Sequence, residues 1–147
     1  MRRLISSAVA LAAMLAIGGA QPAFAQDAAA GDGKINLELN KLETDKTTCR
    51  GYFVVNNRTP DSLKELRIDV ILFDKAQVIL RRVALSFLDV RSGRTKVVLF
   101  DFPDLACDNV GKLLVNEIMG CNGAAGAIST CADALAVSTR ASAGFEY

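Results

Sequence analysis

The chain has 147 residues, with 17 lysines and arginines, 16 aspartates and glutamates, and neither histidine nor tryptophan. This nearly neutral balance excludes the basic footprint of nucleic-acid-binding proteins and of proteins that bind anionic membranes through charge. The absence of histidine excludes the Ser-His-Asp and Cys-His catalytic arrangements and the commonest zinc ligand, but it leaves carboxylate and lysine chemistry open.

The first 25 residues have the three parts of a secretory signal peptide. Arg2 and Arg3 form a short positive region, an uncharged apolar run follows over 4–20, and residues 23–25 (AFA) match the A-x-A cleavage pattern. The apolar run is at the short end of what spans a bilayer, so we predict cleavage after Ala25 rather than a retained anchor. The residues around the arginine pair do not fit the twin-arginine context, which favours general secretion into the periplasm.

Residues 26–33 are small, polar and unpatterned, which predicts a flexible lead-in to a single domain over 34–147. Within this domain, short segments with apolar alternation or with β-branched and aromatic residues recur between turn signals. We predict six strands, over 35–40, 49–56, 66–72, 78–90, 95–102 and 113–118.

The last part of the chain predicts a short helix near 130–136 and an edge strand within 138–147 that closes the sheet. A break in the alternation at Lys41-Leu42 indicates a β-bulge after the first strand. No helical segment of adequate length separates the strands. The pattern therefore predicts an all-β, antiparallel, Ig-like β-sandwich of about six to seven strands, with a short C-terminal helix or loop.

Four cysteines follow the signal, and an even number in an exported chain predicts disulfides. Cys121 and Cys131 flank a stretch rich in glycine, alanine and serine, which favours a local bridge and leaves Cys49 to pair with Cys107. The alternative pairing joins Cys107 to Cys121 and Cys49 to Cys131. Because the chain has no C-x-x-C motif and no histidine, we predict neither a metal site nor a redox site, and no cofactor.

Two strand ends and one turn resemble a known type of module. The strand Val54-Val55-Asn56-Asn57 ends in asparagines, another ends Leu72-Phe73-Asp74, and a Ser-Gly-Arg-Thr turn over 92–95 precedes the next strand. These features resemble the FxLyD-type extracytoplasmic β-sandwich modules, over about 48–102. Val70 stands where that motif has Phe, and Phe73 where it has Tyr.

The chain after the signal also resembles a group of small periplasmic proteins of alphaproteobacteria that are known chiefly by their signal sequence. The residues that carry this resemblance are 37–43 (LELNKLE), 49–50 (CR), 73–74 (FD), 100–103 (FDFP), Cys107 and 115–117 (VNE). The resemblance implies a periplasmic location and a β-sandwich fold, and it implies no activity.

Five basic residues gather on two strands that we predict to be neighbours and on the turn between them: Arg81, Arg82, Arg91, Arg94 and Lys96. They are a candidate patch for an anion or an acidic partner. The alternative is a solvated sheet face whose edge charges discourage strand pairing.

Four aspartates near strand ends, Asp69, Asp74, Asp101 and Asp104, are candidates for carboxylate acid–base chemistry. Aspartates in such places are more often turn formers that bond their own backbone, so we predict no catalytic residue.

These observations favour a non-catalytic periplasmic interaction or accessory protein. Its contact would be an exposed sheet edge, for which the C-terminal strand is a candidate. Its partner would be another periplasmic or envelope protein, with no nucleic acid and no membrane span in the mature form. The alternatives are a small-anion or ligand-binding protein with a cleft beneath Arg81 and Arg82 and, more remotely, a histidine-free carboxylate hydrolase.

Overall fold

The structure is a computed structural model that describes residues 32–147. The predicted signal peptide and most of the predicted lead-in lie outside the described residues. Within this range, a short helix, α1 (Cys131–Ala134), and a 3-10 helix over Cys107–Asn109 accompany nine strands. The strands are β1 (Ile35–Asp45), β2 (Thr48–Asn57), β3 (Leu63–Asp74), β4 (Ile79–Val90), β5 (Arg94–Pro103), β6 (Val110–Gly123), β7 (Gly126–Ala127), β8 (Leu135–Thr139) and β9 (Gly144–Glu146).

The strands form two sheets, which confirms the all-β sandwich. The first sheet has the order β5-β2-β1-β8, and the second has the order β4-β3-β6-β7 with β9 alongside β6. The structure departs from a purely antiparallel arrangement because β8 pairs with β1, and β9 with β6, in parallel. β9 lies within the C-terminal edge strand predicted over 138–147, and α1 lies within the helix predicted near 130–136. The additional strands are β7, whose two residues are too few for an alternating pattern to reveal it, and β8, which begins where the predicted helix ends.

The predicted bulge after the first strand is confirmed. The register of β1 against β2 shifts between Leu39 and Lys41, and β1 then continues to Asp45. The extra residue absorbs the break in alternation, so the strand continues past the bulge instead of ending there.

The inner faces of the two sheets meet in one hydrophobic core. Phe53 of β2 is fully buried, and its ring packs edge-on against Phe87, Phe100 and Phe145 with centroids 5.6 to 5.9 Å apart. Alternate residues of the central strands complete the core, among them Ile35, Leu37 and Leu39 of β1 and Leu66, Ile68, Val70 and Leu72 of β3. The core therefore draws on the period-two pattern of both sheets.

The C-terminal segment closes one side of the sandwich. After β8 the chain crosses from the first sheet to the second over 140–143, and β9 follows with Phe145 buried. At the crossing, Thr139 Oγ1 donates to the Ala143 carbonyl oxygen at 2.9 Å, and the Arg140 N–H donates to the Leu39 carbonyl oxygen at 2.9 Å. We call β8, β9 and residues 140–143 the closed side.

Two disulfides join Cys49 to Cys107 and Cys121 to Cys131, the pairs that the spacing favoured. The first fastens β2 to the 3-10 helix that follows β5, with a separation of 58 residues. The second fastens β6 to α1, with a separation of 10 residues, just before the closed side begins. Two bridges are consistent with an oxidising compartment such as the periplasm. No helix in residues 32–147 is both long enough and apolar enough to cross a membrane.

Asn57, at the end of β2, is fully buried, and both the nitrogen and the oxygen of its side-chain amide are hydrogen-bonded. Its Nδ2 donates to the carbonyl oxygens of Asp61 and Val90, and its Oδ1 accepts from the N–H and the hydroxyl of Thr59. These four bonds hold the β2–β3 loop against the end of β4, which positions the turn between β4 and β5.

Candidate functional site

The side of the sandwich opposite the closed side consists of β4 and β5. These strands are consecutive in the chain but belong to different sheets, because the turn over 91–93 carries the chain from one sheet to the other. Each is the outermost strand of its sheet, so within residues 32–147 each has one edge without a strand partner. We call residues 78–103 the open side.

The two free edges differ in regularity. β5 pairs with β2 at ten consecutive positions, from Thr48↔Pro103 to Asn57↔Arg94, without a register shift. β4 has a register shift opposite Leu72 and Phe73, and Asp89 near its end has a positive φ of 50°. Irregularities of this kind bend an edge away from straight pairing, so β5 is the more regular template for a further strand.

Exposed apolar side chains concentrate on the open side. Of the eight large hydrophobic residues exposed in residues 32–147, six lie here: Val78, Ile79, Leu80, Leu88, Val97 and Leu99. Val97 and Leu99 of β5 are 55% and 47% exposed, and Val54 and Tyr52 of β2 stand directly opposite them, half-buried. The outer face of the first sheet therefore carries an apolar strip that runs to its free edge.

The five basic residues of the predicted patch do not share one face. The expectation that their strands are neighbours in a sheet is wrong, because β4 and β5 end different sheets. Arg81 and Arg82 are consecutive in β4, so their side chains leave opposite faces of the strand. Arg91 lies in the turn and Arg94 begins β5. Arg81, Arg91 and Arg94 form no ion pair with any residue of 32–147.

Lys96 connects the two strands of the open side. It lies on the inner face of β5, opposite the buried Val55, and its Nζ donates to the carbonyl oxygen of Leu88 on β4. This bond occupies a backbone acceptor of the β4 edge, and it places a positive charge between the two sheets at their margin.

Arg82 belongs to a hydrogen-bonded group on the outer face of the second sheet. Its Nε donates to Asp69 Oδ1 at 2.8 Å, and Asn116 Nδ2 donates to Asp69 Oδ2 at 2.8 Å. Asp69 is only 3% exposed although it lies on the outer face of the central strand β3. The hydrogen bond from Arg82 holds the pKa of Asp69 below its ordinary value, against the opposing effect of burial, and Asn116 adds to the lowering. The group ties β4, β3 and β6 together.

The other strand-end aspartates have structural partners or lie in the open. Asp74 Oδ1 accepts from the N–H groups of Ala76 and Val78, as a turn former does. Asp101 accepts hydrogen bonds from both Nε and Nη2 of Arg50, and these charged hydrogen bonds lower the pKa of the aspartate. Asp104 is exposed and has a positive φ of 54° after the end of β5.

None of the five basic residues lines any of three surface cavities in the described part of the chain, although Leu80, next to Arg81, lines the third. The first, of about 220 Å³, lies between the β2–β3 loop and α1 and has both Asp61 and Asp133 in its lining. The second lies beside the bridged loop over 121–131, and the third lies below the β3–β4 turn. Residues 32–147 contain no cluster of three or more residues suited to holding a metal ion.

Sequence reasoning missed the apolar strip and the burial of Asp69. The signal for the strip was present in 97–100 (VVLF), where both faces of the strand are apolar. Such a run is typical of a strand covered on both faces, yet one face of β5 has no cover within the described residues. The alternation of Asp69 with apolar residues along its strand predicts that its side chain is exposed to solvent. The bulges of β6 place Asn116 over it, and the sequence pattern does not show them.

Comparison with known proteins finds one likeness of structure. No protein-family model matches the chain, and no curated protein matches it either. Among solved structures, IrmA from Escherichia coli is similar, with 15% sequence identity, a TM-score of 0.55, and coverage of 71% of this chain and 90% of the IrmA chain.

The likeness shows a shared fold. The chain therefore has the fold of a small bacterial protein, and at 15% identity the likeness supports no statement about function. The finer resemblance to FxLyD-type modules and to the alphaproteobacterial group has no matching family model, and it stays a prediction.

Proposed function

We propose that the protein is an exported, non-catalytic interaction module of the cell envelope, and that the open side is its contact surface. The observation that carries the proposal is the apolar strip of Val97 and Leu99, continued by Tyr52 and Val54, on the outer face of the first sheet at the free edge of β5. Contiguous apolar surface that a small protein leaves exposed is typical of protein–protein interaction sites.

The contact that we favoured from the sequence was the C-terminal strand. In the fold that segment supplies β8 and β9, which have five and three residues and are fastened by the crossing at Thr139. The open side has the longer free strands and the exposed apolar residues, so we move the proposed contact there.

The periplasmic location rests on the predicted signal peptide and is supported by the two bridges. If the prediction is right, the protein isolated from the envelope fraction begins at Gln26 and contains no free thiol. A chain that retains residues 1–25, or that carries reactive thiols, would contradict this location.

The contact surface is tested by photo-crosslinking in intact cells of the source organism. A photoreactive amino acid replaces Val97 on the open side or, as a matched control, the exposed Ser138 on the closed side. We expect a discrete heavier adduct from position 97 and none from position 138. Adducts from position 138 alone, or the same adducts from both positions, would contradict the assignment of the open side.

A further inference from the structure

We infer that the partner of the open side is an extended protein segment that adds to the first sheet as a strand beside β5, with apolar residues on its outer face and acidic residues on its inner face where it passes Arg94 and Lys96. This inference rests on the proposed function and specifies the chemistry of the partner. It is carried by the regular edge of β5, by the apolar strip on its outer face, and by the charge of the open side.

The geometry of β5 suits strand addition. Its ten residues pair with β2 without interruption, so on the opposite edge alternate N–H and C=O groups point outward at regular spacing. The only other edge of this sheet in residues 32–147, that of β8, has five residues. An added strand finds most of its backbone hydrogen bonds at β5.

The two faces of an added strand would meet different surroundings. On the outer face, alternate residues would lie beside Val97 and Leu99, and apolar side chains would there extend the strip that Tyr52 and Val54 begin. On the inner face, residues beside Arg94 and Lys96 would meet positive charge, so acidic side chains suit those positions. Residues beside Val98 and Phe100 would instead meet half-buried apolar side chains.

The charge of the open side favours acidic residues on that inner face. Residues 78–103 contain five basic and two acidic residues, whereas the whole chain is almost balanced. Both acidic residues already have partners, Asp89 with Lys64 and Asp101 with Arg50. Arg82 is paired with Asp69, but Arg81, Arg91, Arg94 and Lys96 form no ion pair within residues 32–147, so the uncompensated charge of this region is positive.

Lys96 accounts for selectivity as well as attraction. In the free protein its ammonium group donates to the Leu88 carbonyl oxygen and lies at the margin beside the β5 edge, where an uncharged apolar strand would remove water from the charge and supply no opposite charge in its place. A carboxylate on the added strand would replace that partner. The lysine would thus discourage pairing with apolar edges, including those of other copies, and permit pairing with acidic ones.

The inference is tested with two synthetic peptides of about eight residues, one alternating valine with glutamate and the other alternating valine with lysine. Binding to the mature, disulfide-intact protein is measured by NMR titration. We expect the glutamate peptide to bind about ten-fold tighter than the lysine peptide and to shift the amide resonances of β5. Equal affinities, or shifts confined to β8 and β9, would overturn the inference.

Charge reversal supplies the matched control. Lys96→Glu should reverse the preference between the two peptides, whereas Arg67→Glu, an exposed substitution on the outer face of the second sheet, should leave the preference unchanged. If both variants alter the preference equally, the peptides respond to net charge alone and the β5 assignment fails. Amide spectra of both variants establish that they are folded.

Two other occupants of the open side are outcomes of the same test. Binding to vesicles that contain anionic phospholipid, without a preference for the glutamate peptide, would assign the surface to a membrane and overturn the inference. A dimer in sedimentation experiments that Lys96→Glu dissociates would assign it to a second copy and also overturn it. A positive crosslink at position 97 with no peptide preference would refute only the acidic partner and leave the proposed function in place.

Discussion

The two sides of the sandwich end their sheets in opposite ways. On the closed side, short parallel strands cap both sheets, the crossing over 140–143 is hydrogen-bonded to β1, and Phe145 fills the core between them. On the open side, two long strands end the sheets with edges that are free within residues 32–147, and the turn over 91–93 joins them. Both sides supply buried residues to the core, Phe145 on the closed side and Phe87 on the open side, but the open side also leaves Val97 and Leu99 in solvent. The difference marks the open side as the side with apolar surface and a long free edge available for contact.

Truncation of one aromatic residue on each side should show this division most strongly. Phe145→Ala removes a buried ring that packs against Phe53, and we expect a loss of about 3–5 kcal/mol in the free energy of unfolding. Phe100→Ala removes a half-buried ring of the open side, which should cost about half as much. Urea denaturation of both variants measures the costs, and an equal or greater loss for Phe100→Ala would break the comparison.

The two disulfides should contribute unequally. Replacing Cys49 and Cys107 together by alanine opens the longer loop, and chain entropy predicts a loss of about 4 kcal/mol. Replacing Cys121 and Cys131 together opens the shorter loop and should cost about 3 kcal/mol. Denaturant unfolding of the two double variants gives the order of the losses. A larger loss from the shorter loop would mean that the β6–α1 bridge, at the entrance to the closed side, has a role beyond loop closure.

Acid should weaken the protein in part through Asp69. Because its pKa is lowered in the folded state, the group stabilises the fold above the ordinary aspartate pKa, and this contribution is lost as the pH falls through the lowered value. We therefore expect the free energy of unfolding to fall less steeply between about pH 5 and pH 2 in Asp69→Asn than in the unsubstituted protein. Unfolding curves across that range provide the measurement.

The exposed pair of Asp101 with Arg50 is the control for that experiment. Asp101→Asn should also flatten the acid slope, because the pKa of Asp101 is lowered by Arg50, but salt should remove this effect since half of the Asp101 side chain is exposed. The effect of Asp69→Asn should persist in salt because Asp69 is buried. Identical salt responses would contradict the burial of the Asp69 group.

The smallest effect on stability is expected from the apolar strip itself. Val97→Ser combined with Leu99→Ser changes two exposed side chains of an edge strand, so the free energy of unfolding should change by less than about 1 kcal/mol. The same variant should lose the crosslink from a photoreactive group at the exposed Thr95. A large loss of stability would show that Val97 and Leu99 maintain the fold rather than a contact.

The sequence predicted most of the sandwich because its long strands alternate cleanly, as in 66–72, or are rich in β-branched and aromatic residues, as in 49–56. It could not assign β4 and β5 to different sheets. The residues of the turn over 91–93 suit a hairpin within one sheet as well as a connection between two sheets. It also could not show that the faces of β5 differ in burial, since 97–100 is apolar on both. The candidate site depends on topology, and topology is set by contacts far apart in the chain.

Amide hydrogen exchange along β5 tests the central claim most directly. The protein is measured alone and with the valine–glutamate peptide, and exchange is compared between Arg94–Pro103 and Leu135–Thr139. Strand addition at the open side predicts that alternate amides of β5, those that point to the free edge, exchange about ten-fold or more slowly with the peptide, while the amides of β8 do not change. Protection that appears on β8, or on no strand edge at all, would contradict the account.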